Sequence, residues 1–376
     1  MKPLRLFELR GGPVARGRAH GEAFAAEIRA YAEERVHLAA AGAWAGRPTT
    51  REDVLALARR MIPAHAAYDA GLHAELEAMA EAAGITVEEA ILVGGFTDFV
   101  DAVRAAGGPG FEEDDCTAVL VPPHRTPALG GMFAQTWDMH DTATPFVVLF
   151  DLRPDDAPAA LIFSTVGCLG QIGVNEAGIT VGINNLVCTD GRVGVTWNYV
   201  VRKALAQTTL EDAIACVRDA KLAGGHDYLL MDADGRGVNI EASGRVQVLE
   251  ALGEAPIVHT NHCVHDLTRA WEAKRDAGLL ASSHERLRVA QAEVAEGVID
   301  LPRLQALMAE GSCICRHGGP PSHIETSGAA IVRPATRELW ATWGPPDVSP
   351  WERFVVGVGR PIGDREVDGV GPRCRI

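Results

Sequence analysis

The sequence changes character at one place, and that change limits what the chain can fold into. Residues 17–110 read as helix, and the segment from Ala15 to Trp44 is rich in Ala and Glu and has no proline. Thr50-Arg51-Glu52-Asp53 and Thr86-Val87-Glu88-Glu89 have the pattern of helix starts, in which a threonine hydroxyl and an acidic side chain three residues on satisfy free N–H groups. Gly107-Gly108-Pro109-Gly110 breaks the helical pattern, and an acidic run from Glu112 to Asp115 follows. Cys116 then opens a β-type run that ends at Val121. From there strand and helix signals alternate, so neither a helical bundle nor an all-β sandwich accounts for the whole chain.

The downstream pattern gives the architecture. Cys116 to Val121 and Met132 to Trp137 read as a hairpin around the turn-rich loop from Pro122 to Gly131. Phe146 to Leu152, Ala160 to Thr165 and Ile179 to Ile183 read as strands. A helical pair is expected over Trp197 to Ala220, with a second helix start at Thr209-Leu210-Glu211-Asp212. Tyr228 to Met231 and Val238 to Glu241 flank the turn Asp232-Ala233-Asp234-Gly235. Pro256 to His262 reads as a strand, Ser283 to Ala295 and Leu301 to Ala309 as helices, and Ala329 to Val332 and Glu338 to Thr342 as final strands. This order predicts an α+β fold of two antiparallel sheets covered by helices. It divides into a helical leader, residues 1–115, and a catalytic part, residues 116–376, packed as one unit.

The chain has 376 residues, 23% of them charged, and a formal net charge of −15. Such acidity disfavours nucleic acid and anionic membrane as partners, because phosphate binding needs a basic face. No run approaches the roughly 18 apolar residues of a membrane span. Met1 to Arg10 lacks the apolar core and cleavage site of a signal peptide, so the expected location is the cytoplasm. The eight cysteines then read as reduced thiols rather than a disulfide framework.

A cysteine at the junction of a helical leader and a sheet suggests a precursor cut between Asp115 and Cys116. Cleavage would leave the α-amine of Cys116 beside its own thiol. A free α-amine has a pKa of about 7.7–8.0, so it can take the thiol proton at neutral pH without a histidine. Asp138 ends the strand expected beside Cys116 and could bind that amine. Asn175, in Gly173-Val174-Asn175-Glu176-Ala177-Gly178, and Asn261, in His259-Thr260-Asn261-His262-Cys263, stand at strand ends, where an amide NH₂ could hold an oxyanion. Arg316, in Cys313-Ile314-Cys315-Arg316-His317, could grip a carboxylate. Singly, each has an ordinary use: a small buried thiol, a turn residue, a surface charge.

The set taken together resembles a known family. Asp115-Cys116-Thr117, Gln135-Thr136-Trp137-Asp138, the Gly173 to Gly178 turn, His259 to Cys263 and Ile314-Cys315-Arg316 are similar, in this order, to the acyl-coenzyme A:isopenicillin N (6-aminopenicillanic acid) acyltransferase family of cysteine N-terminal nucleophile hydrolases. Gly17-Arg18-Ala19-His20-Gly21 resembles that family's early Gly-x-x-His-Gly element, and the likeness runs from about Leu9 to about Trp343. The resemblance implies a four-layer αββα sandwich, self-cleavage before Cys116, and amide hydrolysis or acyl transfer. Carried over by position, Cys116 is the nucleophile, Asp138 and Arg316 are charged site residues, and Asn261 is the oxyanion donor; Asn175 matches a turn near the site. It further implies a small acyl-amide or acyl-CoA-type substrate, the cleaved leader as a bound partner chain, and no cofactor or metal, with a homo-oligomer left open. Departures are Asp115 where the family often has Gly, Ala118 where the fungal penicillin enzyme has a hydroxyl residue, and Thr136 in place of Asn.

Two other readings compete. One is an uncleaved thiol hydrolase with His140 or His262 as base. The other is a zinc protein using the clusters Cys313/Cys315/His317 and His259/His262/His265.

Overall fold

A computed structural model of the protein describes residues 3–42, 48–105, 116–126, 130–275, 277–320 and 323–360. Asp115, and with it the expected cleavage bond and the Gly107 to Gly110 break, lies outside the described residues. In chain order the elements are β1 (Leu6–Gly11), α1 (Pro13–Ala23), α2 (Ala25–Ala41), α3 (Arg51–Tyr68), α4 (Ala70–Ala83), α5 (Val87–Gly94), α6 (Phe96–Ala105), β2 (Thr117–Val121) and β3 (Met132–His140). They continue with β4 (Val147–Pro154), β5 (Ala160–Thr165), β6 (Ile172–Asn175), β7 (Thr180–Leu186), α7 (Trp197–Ala204), α8 (Leu210–Arg218), β8 (Gly225–Met231), β9 (Gly237–Ala242), β10 (Gln247–Ala251) and β11 (Ile257–His259). Last come α9 (Asp266–Arg269), α10 (Ala277–Val294), α11 (Leu301–Met308), β12 (Ile324–Arg333), β13 (Glu338–Ala341) and β14 (Glu352–Val355).

The strands form two sheets, of order β1-β4-β5-β6-β7-β8-β9-β10 and β11-β2-β3-β12-β13-β14. Alternation along β2 shows the layers. Ala118 and Leu120 join the large core shared with the eight-stranded sheet, whereas Val119 and Val121 pack with Ala290, Val294, Leu304 and Met308 of α10 and α11. The leader helices, α7 and α8 add their apolar faces to the core on the eight-stranded sheet. The molecule is therefore an αββα sandwich, with both inner sheets buried on two faces. The sheets approach so closely at Gly182 that an added Cβ would lie 2.1 Å from the Phe133 ring. Beside it the Gln135 carboxamide accepts from Ile183 N–H at 3.0 Å across the gap and donates to Ile183 O, which fixes one sheet against the other. Among the described residues no helix is long and apolar enough to cross a membrane.

The expected helix starts are present: Thr50 accepts from Asp53 N–H, Thr209 from Asp212 N–H, and Thr86 exchanges hydrogen bonds with Glu89. The leader differs from its helical reading in one respect. Residues Leu6–Gly11 form an edge strand, paired in parallel with β4 through Leu6↔Leu149 to Gly11↔Pro154. The Gly17 to Gly21 element has a steric cause: a Cβ at Gly17 would lie 2.0 Å from Glu75 O, and one at Gly21 2.4 Å from Met79 O. Only glycine lets α1 lie this close on α4. His20, between them, accepts from Gly167 N–H at 2.9 Å, and burial pushes its pKa down to about 3. Glu75 takes Arg16 of the leader at 2.7 Å and Arg202 of α7 at 3.0 Å, so a buried three-residue charge cluster also joins leader to core.

Strands β6, β10 and β14 were not expected from the sequence, and β11 stops at His259 rather than His262. The reason at β11 is visible. Past His259 the chain leaves the ladder and bonds instead to Ser283 of α10: Asn261 N–H donates to its hydroxyl at 3.0 Å, and the Thr260 hydroxyl donates to its carbonyl at 3.1 Å.

Candidate functional site

Cys116 stands immediately before β2, one residue ahead of the register pair Thr117↔Thr136. Thr117 N–H donates to Thr136 Oγ1 at 3.1 Å, which anchors the strand end. The register sets the Cys116 thiol against the backbone of Asp138, whose N–H donates to Sγ at 3.5 Å and whose carbonyl lies 3.8 Å away. Cys116 is buried, and so is Asp138. Thus the Gln135 to Asp138 stretch divides its tasks: Gln135 ties the sheets, Thr136 holds Thr117, and Asp138 cradles the sulfur.

Asn261 reaches the same place from the loop after β11. Its Nδ2 donates to Asn185 O at 3.1 Å, and its Oδ1 accepts from Arg286 Nη2 at 3.1 Å. Arg286 of α10, wholly buried, also donates through Nη1 to Cys116 O at 2.5 Å and to Thr117 Oγ1 at 3.2 Å. One guanidinium therefore connects the main chain of Cys116 to the side chain of Asn261. Ser283, one turn earlier on α10, fixes the Thr260 to His262 loop and accepts or donates at 2.8 Å with His262 Nδ1.

Beside the thiol lies a narrow cavity of about 30 Å³, lined by Thr97, Cys116, Trp137, Met139, Ile183, Asn185, Trp197 and His226. Its walls are mainly apolar, with polar groups at Thr97, Asn185 and His226. Thr97 comes from the leader and meets His226 Nε2 at 3.1 Å; His226 Nδ1 lies 3.2 Å from Asp98, which also accepts from Trp197 N–H at 2.6 Å. A mainly apolar lining with a few placed polar groups has the character of a small-molecule site.

The remaining predicted residues separate. The Arg316 main chain pairs with Thr326, through Arg316 N–H to Thr326 Oγ1 at 2.8 Å and Thr326 N–H to Arg316 O at 3.0 Å. Thr326 is the register partner of Asp138, so the Arg316 main chain lies next to β12, the strand beside Asp138. Asn175 lies apart. Its Nδ2 donates to Leu205 O at 2.9 Å and Gln207 O at 2.7 Å, and its Oδ1 accepts from Ile179 N–H at 2.9 Å. It fixes a turn at the far side of the eight-stranded sheet and has no described contact with the Cys116 cavity.

The histidine half of the zinc reading is overturned. His259 Nε2 lies 2.8 Å from Glu241 and its Nδ1 3.3 Å from Asp227, His262 bonds Ser283, and His265 faces Glu250 at 3.7 Å. Three histidines with separate partners share no centre. Cys313 turns to Glu310 at 3.5 Å, while Cys315 and His317 meet Asp347, the one grouping among the described residues with metal-ligand spacing. His140 and His262 are poor bases. Burial pushes both down to about 3, with Arg35 adding to the effect at His140 and His284 at His262. Burial opposes charge on His259 too, yet Asp227 and Glu241 outweigh it and raise its pKa to about 9.

Arg286, Asn185 and His226 were missed in the sequence. A signal existed for Arg286: it recurs with Ser283, Ala290 and Val294 on the buried face of α10, where a lone charge needs a partner. Asn185 and His226 sit on neighbouring strands at the register pair Asn185↔His226, which strand patterns alone do not reveal.

Residues 130–300 match the family described as acyl-coenzyme A:6-aminopenicillanic acid acyl-transferase. The family resemblance read from the motifs is thus borne out over that stretch, which contains Asp138, Asn175 and Asn261; Cys116 and Arg316 lie outside it. A curated relative, the acyl-coenzyme A:6-aminopenicillanic-acid-acyltransferase 40 kDa form of Emericella nidulans, is 24% identical over 194 residues, or 50% of this chain. The match spans about half the length of that relative, 51%. Among solved structures, a conjugated bile acid hydrolase from Clostridium perfringens is similar at a TM-score of 0.44 and 11% identity, over 61% of this chain and 89% of that one. The penicillin V acylase of Agrobacterium tumefaciens is similar at 0.37 and 12% identity, over 64% and 84%.

Proposed function

We propose that the chain is a cysteine amidohydrolase or acyltransferase that works through a Cys116 acyl-enzyme and is activated by cleavage at the Asp115–Cys116 bond. The observation that carries this reading is the Cys116 thiol in the wall of an apolar cavity, beside the Asn261 and Asn185 pair that Arg286 holds. Cleavage frees the Cys116 α-amine, which takes the thiol proton. The thiolate attacks the carbonyl carbon of an N-acyl amide or acyl thioester, a C–S bond forms, and the π pair moves to oxygen. Asn261 Nδ2 carries two hydrogens, one of which serves Asn185 O; the second donates to the oxyanion. One such donor is typically worth about 2.7–4 kcal/mol. The ammonium then protonates the leaving amine or thiol as the C–N or C–S bond breaks. Water, or an acceptor amine, attacks the thioester, gives its proton back to the α-amine, and releases Cys116.

Asp138 binds the α-ammonium and orients it in this scheme, and Arg316 holds a substrate carboxylate or Asp138 itself. Asn175 serves as a turn residue outside the reaction. The substrate is a small acyl amide or acyl-CoA-type compound, as the family match supports. Intact mass measurement with a panel of N-acyl amides and acyl thioesters tests the reading. The expected result is two bound pieces, 1–115 and 116–376, turnover with part of the panel, and an uncut, inactive Cys116→Ala protein. A single 40.0 kDa chain with full activity would disprove the α-amine mechanism. A second reading would then apply, an uncleaved thiol hydrolase, with His226 rather than His140 or His262 as base. It is favoured by one observation, that His226 shares the cavity with Cys116 and places Nδ1 3.2 Å from the Asp98 carboxylate, which could orient it as a base.

A further inference from the structure

We propose that Cys315, His317 and Asp347 form a binding site for Zn²⁺, separate from the Cys116 cavity. The three side chains come from two loops. Cys315 and His317 follow α11, and Asp347 follows β13. Cys315 Sγ lies 3.3 Å from Asp347 Oδ1, His317 Nε2 lies 2.8 Å from Asp347 Oδ2, and one ligand atom from each lies within 4.8 Å of the others.

That spacing is what a zinc ion requires. With Zn–S near 2.3 Å and Zn–N and Zn–O near 2.0–2.2 Å, tetrahedral ligand atoms stand roughly 3–4 Å apart. Small side-chain rotations suffice to bring three donors to that geometry. The donor set also selects the metal. A thiolate with an imidazole and one carboxylate suits a borderline-soft ion, whereas Mg²⁺ and Ca²⁺ take oxygen. Three protein ligands leave the fourth position for water. Cys315 is buried, while His317 and Asp347 are partly exposed, which opens a path for entry. On binding, the Cys315 S–H bond breaks, an S–Zn bond forms, and the proton passes to solvent.

The site would act on the neighbourhood of the candidate nucleophile. Arg316 stands between the two ligands from the first loop, and its main chain is hydrogen-bonded to Thr326, the register partner of Asp138. A bound ion would fix that segment from outside.

The test is titration of the full chain, freed of metal with a chelator, with Zn²⁺ alone, read by a competing chromophoric chelator and by metal analysis. The expected result is about one equivalent bound per chain. His317→Ala and Cys315→Ser should each weaken binding more than about 100-fold, beyond the roughly 10- to 100-fold that loss of an outer-shell partner costs, and excess Mg²⁺ should not compete. Cys116→Ala should bind zinc like the parent. His317 is more than half exposed, so its variant tests the site without disturbing the core. No stoichiometric binding, binding unchanged in His317→Ala, or binding lost in Cys116→Ala would each overturn the site. The readout is metal bound, not turnover, so the outcome is independent of the reading of Cys116.

Discussion

Replacing Arg286 by lysine probes the link between Cys116 and Asn261. Among the described residues the native guanidinium bonds Cys116 O, Thr117 Oγ1 and Asn261 Oδ1, in surroundings with no exposure. A lysine ammonium keeps the charge but is a point donor on a different stem, and it can replace one of the three. Two hydrogen bonds from a charged group are lost, each worth about 1.5–3 kcal/mol, so Arg286→Lys should lose about 3–6 kcal/mol of stability. That is a large share of the ordinary 5–15 kcal/mol of a folded domain. Denaturant unfolding of the Cys116→Ala and Arg286→Lys/Cys116→Ala proteins measures the difference without interference from chemistry. On the active background, the Asn261 carboxamide would lose its Arg286 partner and keep its Asn185 tether, so acylation should slow more than ground-state binding weakens. A variant within about 0.5 kcal/mol of the parent, the scatter of an ordinary surface substitution, would refute the argument that this guanidinium holds the site together.

Two further outcomes are expected. Asn261→Ala should lower the acylation rate about 100- to 1,000-fold with the fold retained, since one oxyanion donor is removed; near-normal single-turnover acylation would exclude that role. Stability should fall as pH rises through the alkaline range. Despite burial, Asp227 and Glu241 raise the folded-state pKa of His259 to about 9, above its unfolded value of 6.5. The stabilisation is therefore full below pH 6.5 and is lost as pH climbs to about 9, by up to about 3 kcal/mol. Denaturation midpoints at pH 6 and pH 9.5 should differ in the parent, and the difference should shrink in His259→Gln; an equal difference in both would place the titration elsewhere.

The helix-to-sheet change at Cys116 was legible because it is local. Capping threonines, the Asp232 to Gly235 turn and runs of apolar residues all signal within a few positions. Cys116, Asp138, Asn261 and Arg316 emerged from short motifs, and the chain brings the first three to one neighbourhood. What was hidden depends on pairing between distant segments. The six residues of β1 have no strong alternation and become a strand because β4 offers an edge. Asn185 and His226 become neighbours through a register that no local pattern encodes. Asn175 was read as near the site because it is a buried polar residue in a family turn, yet its carboxamide is fully engaged by Leu205, Gln207 and Ile179. The Gly17 and Gly21 spacing was visible as a motif, but its meaning, the close crossing of α1 on α4, needed the second helix.

The parallel pairing of β1 with β4, with α1 sunk onto α4 and Glu75 shared between Arg16 and Arg202, makes the leader an integral layer rather than a detachable pro-segment. A break at residue 115 would convert an intramolecular fold into a two-piece assembly. Its unfolding would then release two chains, so its melting temperature would rise with protein concentration, whereas that of an uncut chain would not. Refolding after denaturation would likewise turn second order and slow on dilution. The same chain would thus fold independently of concentration before the cut and as a concentration-dependent pair after it.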